Sequence, residues 1–284
     1  LIRKILARAS ASFLTALAVA GPTSPVFAEQ VPVDLELVLA IDVSGSVDWQ
    51  EAALQRDGYV QALRSDAFVK AVQSGVLGRI AVTYVEWAGD GIQMPVLDWD
   101  VIKDQKSAEA FSERLAKTHI ESGPWTSISS LIDYAVPLFK DNGYEGTRRV
   151  IDISGDGPNN TGRLVTSARD AAVRQGVVIN GLPIINDRLQ PSGRPQIKDL
   201  DKYYRACVIG GLGAFIVVAH DFNDFARAVR RKLIFEIVDA TPPEFTPQPH
   251  GARSIQPAQA IFELGCDVGE RRLQRRRMGI DDEF

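Results

Sequence analysis

From residue 35 onward the chain alternates short, continuous apolar runs with longer segments whose apolar residues recur at helical spacing. Leu35-Glu36-Leu37-Val38-Leu39-Ala40-Ile41 is the first run, and others fall at residues 79–87, 92–97, 148–154, 177–182 and 214–218. Several are predominantly apolar without alternation, which marks strands buried on both faces, as in parallel sheets. The stretches between them, residues 49–73, 107–117, 129–140, 164–175 and 222–237, predict helices. Ile128, Leu131, Ile132, Ala135 and Leu138 give one of these its buried stripe. The alternation predicts an α/β fold, doubly wound, with a mostly parallel six-stranded sheet and helices on both faces. Only Ala88-Gly89-Asp90-Gly91 separates the second and third runs. A link that short forbids a parallel crossover, so the run at 92–97 is expected as an antiparallel edge strand.

The pattern stops near Asp239. Thr241-Pro242-Pro243-Glu244-Phe245-Thr246-Pro247-Gln248-Pro249 reads as an extended linker. Beyond it, the basic cluster at 271–277 and the acids Asp281, Asp282 and Glu283 read as a solvated, disordered end rather than a patch for anionic lipid. At the other end Arg3, Lys4 and Arg8 precede the apolar stretch Phe13–Ala20, and Val26-Phe27-Ala28 supplies small residues before Glu29. This is the pattern of a cleaved secretory leader. The apolar stretch is well short of the roughly 20 residues a membrane span requires. The expected organisation is therefore a leader at 1–28, one domain at 33–239, and a linker with a charged tail at 240–284, in a protein that is periplasmic or secreted.

Composition adds little beyond exclusions. A hydrophobic share of 45% and a charged share of 24% are those of an ordinary globular chain. Loss of the leader removes three basic and no acidic residues and takes the net charge from −4 to −7. An acidic exported chain makes a poor ligand for nucleic acid. Two cysteines, Cys207 and Cys266, could pair in an oxidising compartment. Cys207 sits in an apolar stretch and fits a buried free thiol as well, so both states stay open.

The candidate chemistry lies directly after the first strand. Asp42-Val43-Ser44-Gly45-Ser46 places one carboxylate and two hydroxyls, all hard oxygen donors, at the carboxyl end of a buried strand. This pentapeptide resembles the first segment of the metal-ion-dependent adhesion site of von Willebrand factor A domains. In that family a Thr from a loop before a later helix and an Asp after a later strand complete the site. The matching segments are Ser122-Gly123-Pro124-Trp125-Thr126-Ser127-Ile128 and Val150-Ile151-Asp152-Ile153-Ser154-Gly155-Asp156-Gly157. The resemblance runs from about Val33 to about Val238, in one consistent order of elements. It departs at Gly123-Pro124-Trp125-Thr126, where relatives often have Gly-Gly-Thr, and at Ser154-Gly155-Asp156-Gly157, where they often have Thr-Asp-Gly. The Asp152-to-Asn160 run and Cys207-Val208-Ile209-Gly210-Gly211 resemble a bacterial branch of this superfamily with no assigned reaction.

The resemblance implies a site built from Asp42, Ser44, Ser46, Thr126 and Asp156. All-oxygen ligation suits Mg²⁺ first, with Mn²⁺ or Ca²⁺ as alternatives, and disfavours zinc. It also implies that the cation is completed by an acidic side chain on a protein partner. The competing reading makes Asp42 a cap for the following helix and the serines partners of loop amides, but gives no reason for Thr126 and Asp156 at matching places. Asp152 is either an orienting acceptor behind the ligands or a hydrogen-bonded residue on the sheet face. Asn159 and Asn160 are either rim contacts or turn formers. Catalysis is the rival function. The Asp-x-Asp of one class of Mg²⁺-dependent phosphatases has Ser44 at its second position, leaving no proton donor, and no Gly-x-Ser-x-Gly, Walker or His-Glu-x-x-His motif occurs. A module with a vestigial site is the third reading.

Overall fold

The computed structural model describes residues 30–186, 189, 193, 195–222, 224–238 and 262–280. The expected leader, the expected linker and the terminal acids lie outside the described residues. The first apolar run forms β2 (Leu35–Asp42), every residue of which is buried. It follows a short β1 (Val31–Val33) and is flanked in the sheet by β3 (Ile80–Trp87) and β6 (Arg149–Gly155). With β4 (Gln93–Ile102) and β7 (Val177–Pro183) the order is β4-β3-β2-β6-β7. All pairings are parallel except β3 with β4, which is the antiparallel edge. A separate two-stranded ribbon joins β1 to β5 (Tyr144–Gly146), which the apolar pattern does not reveal.

Helices cover both faces. Leu35, Leu37, Leu39, Tyr84 and neighbours pack against α1 (Trp49–Arg64), α2 (Asp66–Gln73), α3 (Gln105–Lys117) and α7 (Phe225–Val238). Val38, Ala40, Ile151 and Ile153 face α4 (Ile128–Ala135) and α5 (Val165–Val173) on the other side. That side also carries α6 (Leu200–Tyr203), continued as a π-helical turn, Tyr204–Val208. Each fully buried Leu, Ile or Phe in these layers contributes about 1.5–3 kcal/mol relative to exposure.

Three expectations need correction. The single helix at 49–73 is broken at Ser65, whose extended backbone ends α1 while its hydroxyl accepts from Phe68 N and starts α2. Ser65 Oγ also donates to Ala62 O at 2.7 Å, so one side chain serves both helix ends. The sixth strand at 214–218 is reduced to isolated bridges, Gly181 with Ile216 and Ile184 with Ala219, leaving five strands in the sheet. Two features of β7 interrupt that ladder. Pro183 has no N–H to give, and the Asn180 side chain takes the Phe215 N–H at 2.8 Å. Finally, the expected disordered tail contains a helix, α8 (Val268–Arg277). Cys266, just before it, is disulfide-bonded to the buried Cys207, and Val268 and Leu273 are buried, so a local anchor offsets the ordering cost that the charged composition alone would not meet. Among the described residues no helix is long and apolar enough to cross a membrane.

One polar network lies inside the layer beneath α7. Lys232, fully buried, stands 2.7 Å from Asp152 Oδ1 and 3.0 Å from Glu236 Oε2. Asn180 Nδ2 donates to the other Glu236 oxygen at 2.6 Å. Asp152 is thus held on the sheet face by an ion pair, and the orienting role toward the candidate site is not where its side chain goes. Lys232→Met is expected to lower unfolding free energy by about 3–5 kcal/mol, because two buried carboxylates lose their cation. Adding Asp152→Asn and Glu236→Gln should restore much of it. Chemical denaturation of both variants checks this.

Candidate metal centre

β2 and β6 are adjacent parallel strands, and the next sheet strand after β2 lies to one side while the one after β6 lies to the other. Their carboxyl ends therefore bound a crevice at a switch point, where open α/β sheets take ligands. Asp42 is the last residue of β2, and Asp156 follows the last residue of β6.

All five predicted residues meet there. Asp42 Oδ1 accepts the Ser44 N–H at 2.8 Å, folding the Asp-x-Ser turn back on itself. Ser44 Oγ lies 3.0 Å from Ser46 Oγ, and Ser46 Oγ donates to Asp156 Oδ1 at 2.6 Å. Thr126 Oγ1, from across the crevice, donates to Ser44 Oγ at 3.3 Å. Asp42, Ser44, Thr126 and Asp156 are each at most 5% exposed. The helix-cap alternative for Asp42 fails, because Asp48 caps α1 in a reciprocal box with Glu51.

The site is short of positive charge. Asp42 Oδ2 is buried and has no hydrogen-bond partner. Burial first, and repulsion from Asp156 second, push the Asp42 carboxyl up to about 8. Burial pushes Asp156 up to about 6; the Ser46 hydroxyl opposes this and the Glu51 charge adds to it. Buried carboxylates facing each other without a cation are costly, and a divalent ion among them removes that cost. The donors are two carboxylates and three hydroxyls, with no nitrogen or sulfur. They fit Mg²⁺, Mn²⁺ or Ca²⁺. Among the described residues no group of three or more His, Cys, Asp or Glu is placed to hold a metal, so hydroxyls have to complete any such shell.

Local chemistry explains why the segments come this close. The strand continues through Gly155, and a Cβ there would stand 2.9 Å from Asp42 Oδ2 and 2.8 Å from Tyr204 Oη. The residue by which this segment exceeds the Thr-Asp-Gly pattern is therefore one without a side chain. The Thr126 loop is tied down on both sides. Gly123 bridges to Ser44 and donates to Val43 O at 3.2 Å, and Ser127 N reaches Ala88 O at 2.8 Å. Trp125 takes a left-handed backbone, φ 64°, and remains 44% exposed at the rim.

Sequence reasoning took Asn159 and Asn160 as rim contacts or turn formers and missed the other supports of the site. Asn160 Oδ1 accepts from Thr126 N at 2.9 Å while Asn160 N donates to Thr126 O at 2.8 Å, a reciprocal clamp on the threonine. Asn159 Oδ1 accepts from Ser129 N at 2.9 Å at the start of α4. Gln196 Nε2 donates to Asp156 O at 2.6 Å, and Glu51 adds a third carboxylate whose field reaches Asp156. Only the Asn159-Asn160 pair beside the Gly-Pro turn signals itself in sequence.

The sheet order, the antiparallel edge and the layered helices define a von Willebrand factor A-like domain. The chain belongs to the family described as "Protein of unknown function (DUF1194)", which matches residues 32–241. No curated protein matches it. Among solved structures it is similar to proximal thread matrix protein 1 from the mussel byssus, at 12% identity and TM-score 0.54 over 74% of this chain and 48% of that one. It is also similar to the pilus adhesin SpaC from Lactobacillus rhamnosus GG, at 12% identity and TM-score 0.51 over 73% of this chain and 30% of that one. A von Willebrand factor type A protein from Catenulispora acidiphila aligns at 13% identity and TM-score 0.48, over 72% of this chain and 43% of that one. The chain thus spans less than half of each of these proteins, and at such identities the likeness is one of fold.

Gly155→Ala is expected to cost about 1–3 kcal/mol of stability, since the methyl must displace Asp42 or Tyr204. Gly157→Ala, where a Cβ would meet only Thr126 Oγ1 at 3.8 Å, should stay within about 0.5 kcal/mol. Denaturant midpoints of the two variants test the close approach.

Proposed function

We propose that this is an exported, periplasmic or secreted, binding module that holds a divalent cation, Mg²⁺ in preference to Mn²⁺ or Ca²⁺, through Asp42, Ser44, Ser46, Thr126 and Asp156. The cation in turn captures a protein partner that offers it an acidic side chain. The observation that carries the reading is the buried Asp42 Oδ2 with no partner, inside an all-oxygen cluster at the ends of adjacent strands.

The physical case rests on charge and coordination. The two coordinating carboxylates balance a divalent ion, and Glu51 adds negative charge that favours a cation there further. Hydroxyls bind weakly and leave room for an outside oxygen, and Mg²⁺ retains open or water-filled positions at such sites. Asp42 and Asp156 bind the ion, Ser44, Ser46 and Thr126 orient those carboxylates or add neutral oxygens, and Asn160 sets the position of Thr126. A bound cation would supply Lewis acidity toward an incoming carboxylate. Binding rather than catalysis is the better account, because Ser44 stands where a proton-transferring carboxylate would be needed. The resemblance to a pilus adhesin and a byssus matrix protein supports capture as the use of this fold.

Retention of bacterial envelope proteins on the immobilised chain tests the reading. Specific capture is expected with Mg²⁺, to be lost in chelator, and to be lost in Thr126→Val, which keeps the shape and removes the oxygen. Its melting temperature in chelator should match that of the parent within a few degrees. Capture that is indifferent to chelator would contradict the proposal.

A further inference from the structure

The charged cluster beneath α7 brings an amine, a carboxyl and a second carboxylate together out of contact with water. Lys232, Asp152 and Glu236 are each at most 1% exposed. Asp152 sits inside the sheet, opposite Leu39 of β2 and Asn180 of β7. The Phe215 ring lies 5.1 Å from Lys232 Nζ and adds an apolar wall.

The two carboxylates meet the amine differently. Nζ donates to Glu236 Oε2 at 3.0 Å, and Asn180 Nδ2 fixes the other Glu236 oxygen at 2.6 Å. Nζ also stands 2.7 Å from Asp152 Oδ1, yet Oδ1 accepts no hydrogen bond, so the amine approaches this carboxyl outside the hydrogen-bonding directions. With a C–O bond of about 1.2 Å, Nζ is within about 4 Å of the carboxyl carbon. An amine lies against a carboxyl carbon, with a carboxylate placed to take its proton.

We propose that Lys232 and Asp152 condense within the folded chain to an isopeptide bond, with Glu236 as proton carrier, so that α7 is covalently tied to β6. In the reacting state Asp152 is protonated, Lys232 is an ammonium and Glu236 is ionised. Glu236 takes one proton from Nζ, and the freed lone pair attacks Asp152 Cγ to form the Nζ–Cγ bond. A second Nζ proton joins the Asp152 hydroxyl as its C–O bond breaks, and water leaves. One amide, one water and a protonated Glu236 result, so atoms and charge balance with no further reactant.

The surroundings suit each part of the step. Burial pushes the Asp152 carboxyl up to about 6 against the pull of the Lys232 charge, which brings its protonated form within reach near neutral pH. Asp152 and Glu236 outweigh burial at Lys232 and keep it an ammonium, so a proton acceptor is required. Fixed neighbours react as though at about 10⁵–10⁸ M. Replacing a buried ion pair by an amide also removes charges that the interior disfavours. The triple variant described above recovers charge balance and not the link, so the linked parent stays the more stable of the two.

Intact-mass spectrometry of the folded chain, reduced and denatured just before measurement, tests the proposal. The expected mass is one water below that of the sequence. Fragmentation of a tryptic digest should find residues 150–163 joined to the segment beginning at Lys232, with no cleavage after that lysine. Lys232→Arg, which keeps the charge and removes the nucleophile, should show the full mass. Glu236→Gln, which keeps both reactants, should form the link about a hundredfold more slowly or worse. The full mass in the parent after incubation at neutral pH would overturn the proposal, and this result needs no variant to fold. Water loss placed by fragmentation at Asp90-Gly91 or Asp156-Gly157, where an aspartyl imide has the same mass, would overturn it equally. Linkage in Glu236→Gln as fast as in the parent would overturn the role of Glu236.

Discussion

The approach of β2 and β6 at their carboxyl ends is the constraint on which the rest of this structure depends. Gly155 lets the strands come so near that Asp42 and the residue after it, Asp156, share one water-poor crevice. Bringing two carboxylates out of water toward each other is unfavourable by itself. The surrounding apparatus reads as partial compensation: Ser46 donates to Asp156, the Ser44 amide donates to Asp42, and one oxygen of Asp42 is left without a hydrogen-bond partner. The same logic operates beneath α7, where Asp152 and Glu236 are equally buried but Lys232 supplies the charge. One carboxylate cluster has its cation built into the chain, and at the other Asp42 Oδ2 has no partner of its own, which is why we propose a cation there.

How much of this is legible in the sequence follows from what each signal depends on. Strands β2, β3, β6 and β7 are readable because burial on both faces makes them mostly apolar, with few polar interruptions. The antiparallel edge is readable because a four-residue link permits nothing else. Asp42, Ser44 and Ser46 announce themselves by spacing alone, whereas Thr126 and Asp156 are found only through a resemblance that says where in the fold to look. The broken sixth strand is hidden because its cause, Asn180 and Pro183, lies on the neighbouring strand. Lys232 is hidden too: in Arg230-Arg231-Lys232 it reads as solvated, and only helix α7 turns it inward.

The C-terminal helix was the least legible part. Its composition is that of a disordered end, and Val268 and Leu273 alone are a weak apolar signal. A long-range disulfide and the loop at Asn159 make it part of the domain, and neither has a local signature. Its position alters the functional picture. Arg272, Leu273 and Arg276 of this helix line the same crevice as Ser44, Ser46 and Thr126.

The measurement that tests the central claim most directly is calorimetric titration of the metal-stripped chain with Mg²⁺, Mn²⁺ and Ca²⁺, beside the Asp42→Ala variant. Saturable binding of at least one ion, abolished in the variant while its far-ultraviolet dichroism is unchanged, is the predicted result. Absence of binding by all three at millimolar concentration, or equal binding by the variant, would contradict the assignment of this crevice as a metal centre.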